Sequence, residues 1–153
     1  MSIITLTSDM GLQDHYVGAL KGFILKQCPN AVLVDISHHV QPFNILQASF
    51  FVQNCINDFP EGTIHLIAVN SEPVINFGRP EDGKFPSIMK YKGQYFVSTD
   101  NGIFSLLLKD ALPEKIYRID GAVSSPDALR YPAKNILAKA AAQLANGISL
   151  PCK

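Results

Sequence analysis

The sequence predicts a three-layer α/β domain with a largely parallel sheet, and three observations support this. Strand-like and helix-like apolar patterns alternate along the chain, beginning with a strand over residues 3–7 and a helix over 16–28. Residues 31–35 form a short aliphatic run bounded by turn residues, which predicts a strand covered on both faces. The chain has 153 residues, of which 47% are hydrophobic and 17% charged, as is typical of one globular domain.

The first helix follows from side-chain spacing. Asp14 stands where an N-terminal cap belongs, and Val17, Leu20 and Ile24 recur at intervals of three and four residues before Pro29 ends the pattern. This spacing places the apolar side chains on one face. We therefore expect an amphipathic helix that packs against the sheet.

The remaining elements continue the alternation. In chain order they are a helix over 45–56, a strand over 63–69, a hairpin of strands 87–91 and 94–98, a helix over 102–108, a strand over 115–119 and a helix over 132–146. Lys92 and Gly93 supply the hairpin turn, and Pro132 and Gly147 suit the first turn and the end of the last helix. Residues 70–85 form a long loop, which in a compact domain is usually functional or mobile.

Polar clusters follow the first three strands at residues 8–11, 35–43 and from Asn70 onward. In open sheets of this type, ligands bind beyond the carboxyl ends of the strands. We therefore expect the three clusters to line one crevice.

Charge and hydropathy exclude several classes of function. The chain has 13 Lys and Arg against 13 Asp and Glu with no basic cluster, so we expect no nucleic-acid partner. Its apolar runs, such as residues 64–69, fall far short of the roughly 20 residues that span a bilayer. We expect a cytoplasmic protein without a membrane partner.

Two other chemistries find little support. The adjacent His38 and His39 cannot both face one site from a strand, and no Cys or carboxylate pattern completes a ligand set, so we expect no metal. Ser8 lacks the sequence context of a hydrolase nucleophile and any evident histidine base. Neither a metal site nor a serine nucleophile is therefore predicted.

Four motifs in order resemble those of one known family. They are residues 7–18 (TSDMGLQDHYVG) with Lys21 and Gly22, residues 34–38 (VDISH) with Pro42 and Phe43, residues 59–63 (FPEGT) and residues 100–102 (DNG). They closely resemble the S-adenosylmethionine hydroxide adenosyltransferases, the adenosine-forming hydrolases related to fluorinases and chlorinases. The resemblance covers that family's N-terminal domain only. It implies such a domain over 1–148, with 149–153 starting a linker and a β-rich C-terminal domain absent.

The resemblance implies hydrolysis of S-adenosylmethionine. In this family, water or hydroxide attacks the ribose 5′ carbon and expels methionine as a neutral thioether, leaving adenosine. The protein supplies positioning and a dry pocket, with no cofactor and no metal. S-adenosylmethionine or adenosine is the implied small-molecule partner. Family members form homotrimers, with each site between the N-terminal domain of one subunit and the C-terminal domain of another, so a homotrimer is implied when the C-terminal domain is present.

Site residues follow from the same resemblance. Asp9 matches the carboxylate that grips the ribose hydroxyls, and Phe43 matches an aromatic residue that packs on the nucleoside. By itself, Asp9 also suits a turn at a strand end, and Phe43 also suits core packing. The resemblance further places Tyr131 and Ala133 at the substrate.

Catalytic positions depart from the family pattern. Asn70 stands where an Asp is expected, and Pro132 stands where a His is expected; neither accepts a proton. Arg79 matches the family's arginine if the loop carries a small insertion. Asn70 and Arg79 are therefore the residues expected near the reacting centre.

Two interpretations remain. Either loop residues such as Glu72, Glu81, Asp82 or Arg79 activate water, or the chain is a catalytically inactive adenosine- or S-adenosylmethionine-binding module. Halide chemistry is disfavoured because Ala133 stands where the halogenases have a hydroxyl. Hydrolysis is the leading prediction, and the binding module is the alternative.

Overall fold

The computed structural model describes residues 2–71, 73, 84–119 and 130–147. Its strands are β1 (Ile3–Ser8), β2 (Val32–Ser37), β3 (Ile64–Ala68), β4 (Pro86–Tyr91), β5 (Gln94–Thr99) and β6 (Lys115–Arg118). Its helices are α1 (Tyr16–Gln27), α2 (Ile45–Gln53), α3 (Ile103–Leu108) and α4 (Lys139–Ala145), with a 3₁₀ turn at Ile56–Asp58 and a π-helical segment at Ala133–Ala138 directly before α4.

The six strands form one mixed sheet in the order β2-β1-β3-β5-β4-β6. The first four strands in this order run parallel, whereas β4 pairs antiparallel with both β5 and β6. The predicted α/β class with a largely parallel sheet is confirmed. The predicted hairpin is also confirmed, with positive φ angles of 53° and 71° at Lys92 and Gly93, which suit a tight turn.

Helices cover both faces of the sheet. One core contains Ile4, Leu20 and Leu137, contributed by β1, α1 and the π segment. A second core contains Val52, Phe96 and Phe104, contributed by α2, β5 and α3. The two separate cores give the three layers that the alternating pattern predicted.

The prediction that residues 31–35 form a strand covered on both faces was wrong. Among the described residues, β2 is an edge strand paired with β1, and its Val32 is 39% exposed. An aliphatic run favours an extended backbone, but the position of the strand in the sheet decides how many of its side chains are buried. The central strands β1 and β3 hold the buried positions instead.

The second helix is shorter than predicted. It ends at Gln53 rather than at residue 56, because the backbone N–H of Cys55 donates to the carbonyl of Val52, three residues back, at 2.9 Å. The chain then forms the 3₁₀ turn. At the other end, Asn44 caps the helix by accepting the Gln47 N–H at 2.9 Å.

The last predicted helix is a π-helical segment followed by α4, not one regular α-helix. A π segment of this kind is rare and occurs often at functional sites. Within the described ranges, no helix has the length and apolar character needed to cross a bilayer.

Candidate active site

The sheet reverses its winding between β1 and β3, the place where open α/β sheets bind ligands. From β1 the chain passes through α1 to β2 on one side, and then through α2 to β3 on the other side. The segments after β1 and β3 therefore flank the reversal. Asp9 and Asn70 lie in these two segments.

The carboxylate of Asp9 joins the three predicted polar clusters. Its Oδ2 accepts the backbone N–H of Phe43 at 3.1 Å and the backbone N–H of Asn70 at 3.4 Å. The convergence expected from the sequence is thus confirmed. Among the described residues, no hydrogen-bond donor contacts Oδ1, so this oxygen is available to a ligand hydroxyl.

Phe43 is exposed and conformationally strained. Its side chain is 70% exposed, so the structure excludes core packing, the alternative role considered from the sequence. Its φ angle is +64°, a left-handed conformation that is unusual for a bulky aromatic residue. Strain of this kind gathers at ligand-binding sites, where surrounding contacts hold it in place. Here the bond from its N–H to Asp9 provides such a contact.

Asn101 fixes the segment after β3. Its side-chain amide donates to the carbonyls of Val69 at 3.1 Å and Asn70 at 2.7 Å. Gly102, at a φ of +99°, starts α3 in a conformation that glycine adopts readily. The tripeptide at residues 100–102 therefore acts as a scaffold for Asn70, which itself has a φ of +50°.

A cavity of about 210 Å³ opens beside Asp9. Its walls come from the segments after β1 and β3, the start of α1 and the beginning of the π segment: Asp9, Met10, Tyr16, Ala68, Ser71, Arg130, Tyr131, Pro132 and Ala133. Three predicted site residues, Asp9, Tyr131 and Ala133, thus line one cavity. Phe43 and Asn70 do not line it, and they reach the site through their hydrogen bonds to Asp9.

Tyr131 forms a rigid, neutral wall of this cavity. Its hydroxyl donates to the carbonyl of Tyr16 at 2.8 Å, and the two rings meet edge to face with centroids 5.5 Å apart. Burial, together with the nearby Asp14 and Tyr16, raises the pKa of Tyr131 to about 12. The phenol therefore stays protonated at neutral pH and cannot serve as a base.

A chain of hydrogen bonds behind Asp9 was missed by the sequence reasoning. The Ser8 hydroxyl lies 2.6 Å from Nδ1 of His38, and Nε2 of His38 lies 2.8 Å from Asp35. Lys21 on α1 reaches the other oxygen of Asp35 at 2.7 Å. Ser8 does have a histidine partner, so the contrary expectation was wrong. The residues are far apart in sequence, and the pairing of β1 with β2 brings them together.

Asp35 is held in its charged form. Its partial burial favours the neutral acid, but the hydrogen bonds and positive charge from Lys21 and His38 outweigh that effect and lower its pKa below 3.8. The carboxylate can therefore only accept hydrogen bonds at neutral pH. Lys21 and Nε2 of His38 must therefore be the donors in their hydrogen bonds to Asp35.

The remaining predicted residues lie outside the described part of the chain. They are Glu72, Arg79, Glu81 and Asp82. Within residues 2–71, 73, 84–119 and 130–147, no group of three or more His, Cys, Asp or Glu is placed to hold a metal ion.

The fold and the cavity define an α/β protein with a candidate ligand site at the switch point of its sheet. Residues 4–152 match the model of the S-adenosylmethionine hydroxide adenosyltransferase N-terminal domain. The chain therefore belongs to the S-adenosylmethionine hydroxide adenosyltransferase family, through that N-terminal domain. This confirms the resemblance seen in the four motifs.

Individual relatives agree with this assignment. The chain is 35% identical over 124 residues to the (R)-S-adenosyl-L-methionine hydrolase of Methanocaldococcus jannaschii, a match covering 78% of this chain and 44% of the relative. It is 37% identical over 62 residues to a fluorinase of Nocardia brasiliensis, covering 40% of this chain and 21% of that enzyme. A conserved protein from Thermotoga maritima has the same fold, with a TM-score of 0.78, 33% identity, and coverage of 97% of this chain and 55% of that one. The chain spans about half the length of the Methanocaldococcus jannaschii and Thermotoga maritima proteins.

Proposed function

We propose that this chain binds the ribose of S-adenosylmethionine through Asp9 and takes part in its hydrolysis to adenosine and methionine. The observation that carries the proposal is the carboxylate of Asp9, a residue that lines the cavity: its Oδ2 is held by two backbone N–H groups, and no donor among the described residues contacts its Oδ1. A carboxylate held in this way accepts hydrogen bonds from ribose hydroxyls without having to reorganise. The name of the Methanocaldococcus jannaschii relative, an (R)-S-adenosyl-L-methionine hydrolase, points to the same substrate.

The size of the cavity supports a site completed by a second surface. Ligand pockets usually measure about 300–1,000 Å³, and the cavity beside Asp9 measures about 210 Å³. It suits the ribose and the reacting carbon, with the exposed ring of Phe43 available to cover the nucleoside from outside. In this proposal the adenine is held by a further domain in a homotrimer.

The proposed reaction is a single displacement. The water oxygen bonds to the 5′ carbon as the carbon–sulfur bond breaks, methionine leaves as a neutral thioether, and the proton of water passes to solvent. The positive sulfur already makes methionine a good leaving group, so the protein has to position the reactants and exclude bulk water. Asn70 lies outside the cavity, and its side-chain amide cannot accept the proton of the water.

A second candidate function is nucleoside binding without turnover. It is favoured by a specific observation: Asn70, Pro132 and Tyr131 include no group that accepts a proton at neutral pH, and the Asp9 carboxylate, which also lines the cavity, is occupied by the ribose in this proposal. In that case Asp9 and Phe43 would hold the ligand, and no methionine would be released. The two functions share the binding step and differ only in turnover.

Two parallel measurements test these proposals. The protein is incubated with S-adenosylmethionine while adenosine and methionine are followed by chromatography, and it is titrated with adenosine in a calorimeter. Asp9→Ala is compared with Asp110→Ala, which removes an exposed carboxylate from the turn after α3. We expect Asp9→Ala to abolish binding and any turnover, whereas Asp110→Ala changes neither.

The outcomes separate the two functions. Equal amounts of adenosine and methionine, lost in Asp9→Ala, support hydrolysis. Adenosine binding that depends on Asp9 but gives no product supports the binding module. If Asp9→Ala binds and reacts like the parent protein, Asp9 is not the ribose ligand and the proposal fails.

A further inference from the structure

Two segments at the proposed site are joined by backbone hydrogen bonds on both sides of Asp9. The N–H of Gly11 donates to the carbonyl of His38 at 2.7 Å, and the N–H of Val40 donates to the carbonyl of Ser8 at 3.3 Å. The turn that carries Asp9 is thus fastened to the segment after β2. The position of His38 therefore affects the position of Asp9.

The side chain of His38 adds a directed chain of hydrogen bonds. Because Asp35 is ionised and can only accept, Nε2 of His38 must carry a hydrogen and donate to it. In the neutral ring, Nδ1 then accepts the hydrogen of the Ser8 hydroxyl. The oxygen of that hydroxyl is left to accept the N–H of Met10, 3.4 Å away. Ser8 and Met10, the residues before and after Asp9, are therefore both fixed by hydrogen bonds.

This arrangement resembles a serine–histidine–aspartate triad, but its burial argues against nucleophilic chemistry. Ser8 is 1% exposed and His38 is 2% exposed, and neither lines the cavity beside Asp9. A nucleophile must reach the substrate, whereas a group that positions another residue works best when it is enclosed. The geometry therefore favours a positioning role.

We propose that His38 is a positioning residue for the ribose site: through Ser8 it fixes the turn that presents the Asp9 carboxylate, and through Asp35 and Lys21 it is anchored to α1. The proposal rests on the binding function proposed above. The ring must carry its hydrogen on Nε2 and keep Nδ1 as an acceptor. Moving that hydrogen to Nδ1 would break the contact to Asp35 and would reverse the direction of the contact to Ser8.

The first test needs no ligand. In ¹⁵N NMR spectra at neutral pH, we expect His38 to show the Nε2–H tautomer with an unprotonated, hydrogen-bonded Nδ1. We also expect the amides of Phe43 and Asn70, which donate to Asp9, to exchange with solvent at least about tenfold faster in His38→Gln, relative to the amide of Leu66 in β3. The matched control is His39→Gln, since His39 is the exposed neighbour.

The second test measures adenosine affinity by calorimetry. His38→Gln can still reach Asp35 but cannot accept from Ser8, whereas His38→Asn places an amide oxygen near the position of Nδ1. We expect His38→Gln and Ser8→Ala each to weaken adenosine binding about tenfold, without adding together in the double variant. His38→Asn should restore most of the affinity, and His39→Gln should bind like the parent protein.

The results can overturn the proposal independently of the proposed function. If the parent protein binds no adenosine, the binding function fails, and the tautomer and the amide exchange still decide the role of His38. A protonated Nδ1, or unchanged exchange at Phe43 and Asn70 in His38→Gln, overturns the positioning role. So does an affinity in His38→Gln equal to that of the parent protein, because a purely structural histidine would change stability and leave affinity intact.

Discussion

Two histidines make matching contacts to the same strand, one at its end and one in its middle. Nδ1 of His38 bonds Ser8 at 2.6 Å near the end of β1, and Nδ1 of His65 bonds Thr5 at 2.7 Å in the middle of β1. The other ring nitrogen of His38 meets the charged Asp35, whereas that of His65 meets the neutral Gln94 at 2.5 Å. The network of His38 ends at the surface beside the proposed site, whereas the network of His65 is buried in the core.

The difference shows that burial and hydrogen-bond partners decide whether a histidine supports the stability of the core or the geometry of a binding site. His65 is fully buried, and it stacks on Phe96 with ring centroids 4.9 Å apart. Because the side-chain nitrogen of Gln94 donates to the carbonyl of Ile56 at 2.8 Å, its oxygen faces His65 and accepts from Nε2. Burial lowers the pKa of His65, although the bond to Gln94 partly opposes this. The core network therefore supports stability, and the network at the edge holds the ribose site.

The largest effect should come from removing His65. His65→Ala opens a cavity beside Phe96 and leaves the Thr5 hydroxyl and the Gln94 oxygen unpaired, so we expect the free energy of unfolding to fall by about 3 kcal/mol. Urea unfolding followed by circular dichroism measures this change. A loss no greater than that of a surface substitution such as Asp110→Ala would show that this network does not support stability.

The second prediction concerns pH. Because the pKa of His65 is lowered in the folded state, the unfolded chain takes up a proton first as pH falls below 6.5. We expect its contribution to stability to be present at pH 7.5 and to decline by up to about 1.4 kcal/mol for each pH unit below 6.5. Urea unfolding at pH 7.5 and 5.0 tests this, with His65→Gln as the variant that cannot titrate. Equal pH dependence in both proteins would contradict the prediction.

A smaller effect is expected at the other histidine network. Asp35→Asn removes the charge that faces Lys21 and His38, but the Asp35 side chain is 40% exposed, so we expect a loss of no more than about 1 kcal/mol at neutral pH. The lowered pKa of Asp35 means that this contribution persists at neutral pH and is lost only as pH falls below 3.8. Urea unfolding at pH 7 checks the size. A loss as large as that of His65→Ala would show that the two networks contribute equally to stability and would contradict the prediction.

The smallest change should have the opposite sign. Phe43→Gly relieves the left-handed backbone at φ +64° and removes little packing, since the ring is 70% exposed. We expect a gain of about 0.5 kcal/mol in stability together with weaker adenosine binding. Urea unfolding and calorimetry measure the two properties. Loss of stability would show that the ring contributes packing to the fold.

The sequence predicted most of the elements because their signals are local. The apolar spacing of α1 and the turn at Lys92 and Gly93 appear as predicted, whereas the boundary of α2 was missed because the chain tightens into a 3₁₀ turn after Asn54. Polar residues after three strands also predicted the crevice, since the carboxyl ends of parallel strands share one edge. Asp9, Tyr131 and Ala133 were placed at the site by the family resemblance, and the structure brings them to one cavity.

The sequence by itself determined the class of fold, the order of its elements and the family, because these depend on periodicity and on motifs written along the chain. Only the tertiary structure decided that β2 lies at an edge, that Phe43 is strained and exposed, and that Ser8, His38, Asp35 and Lys21 form one chain of hydrogen bonds. The physical reason is that strand order and contacts between distant residues depend on how all the elements pack together.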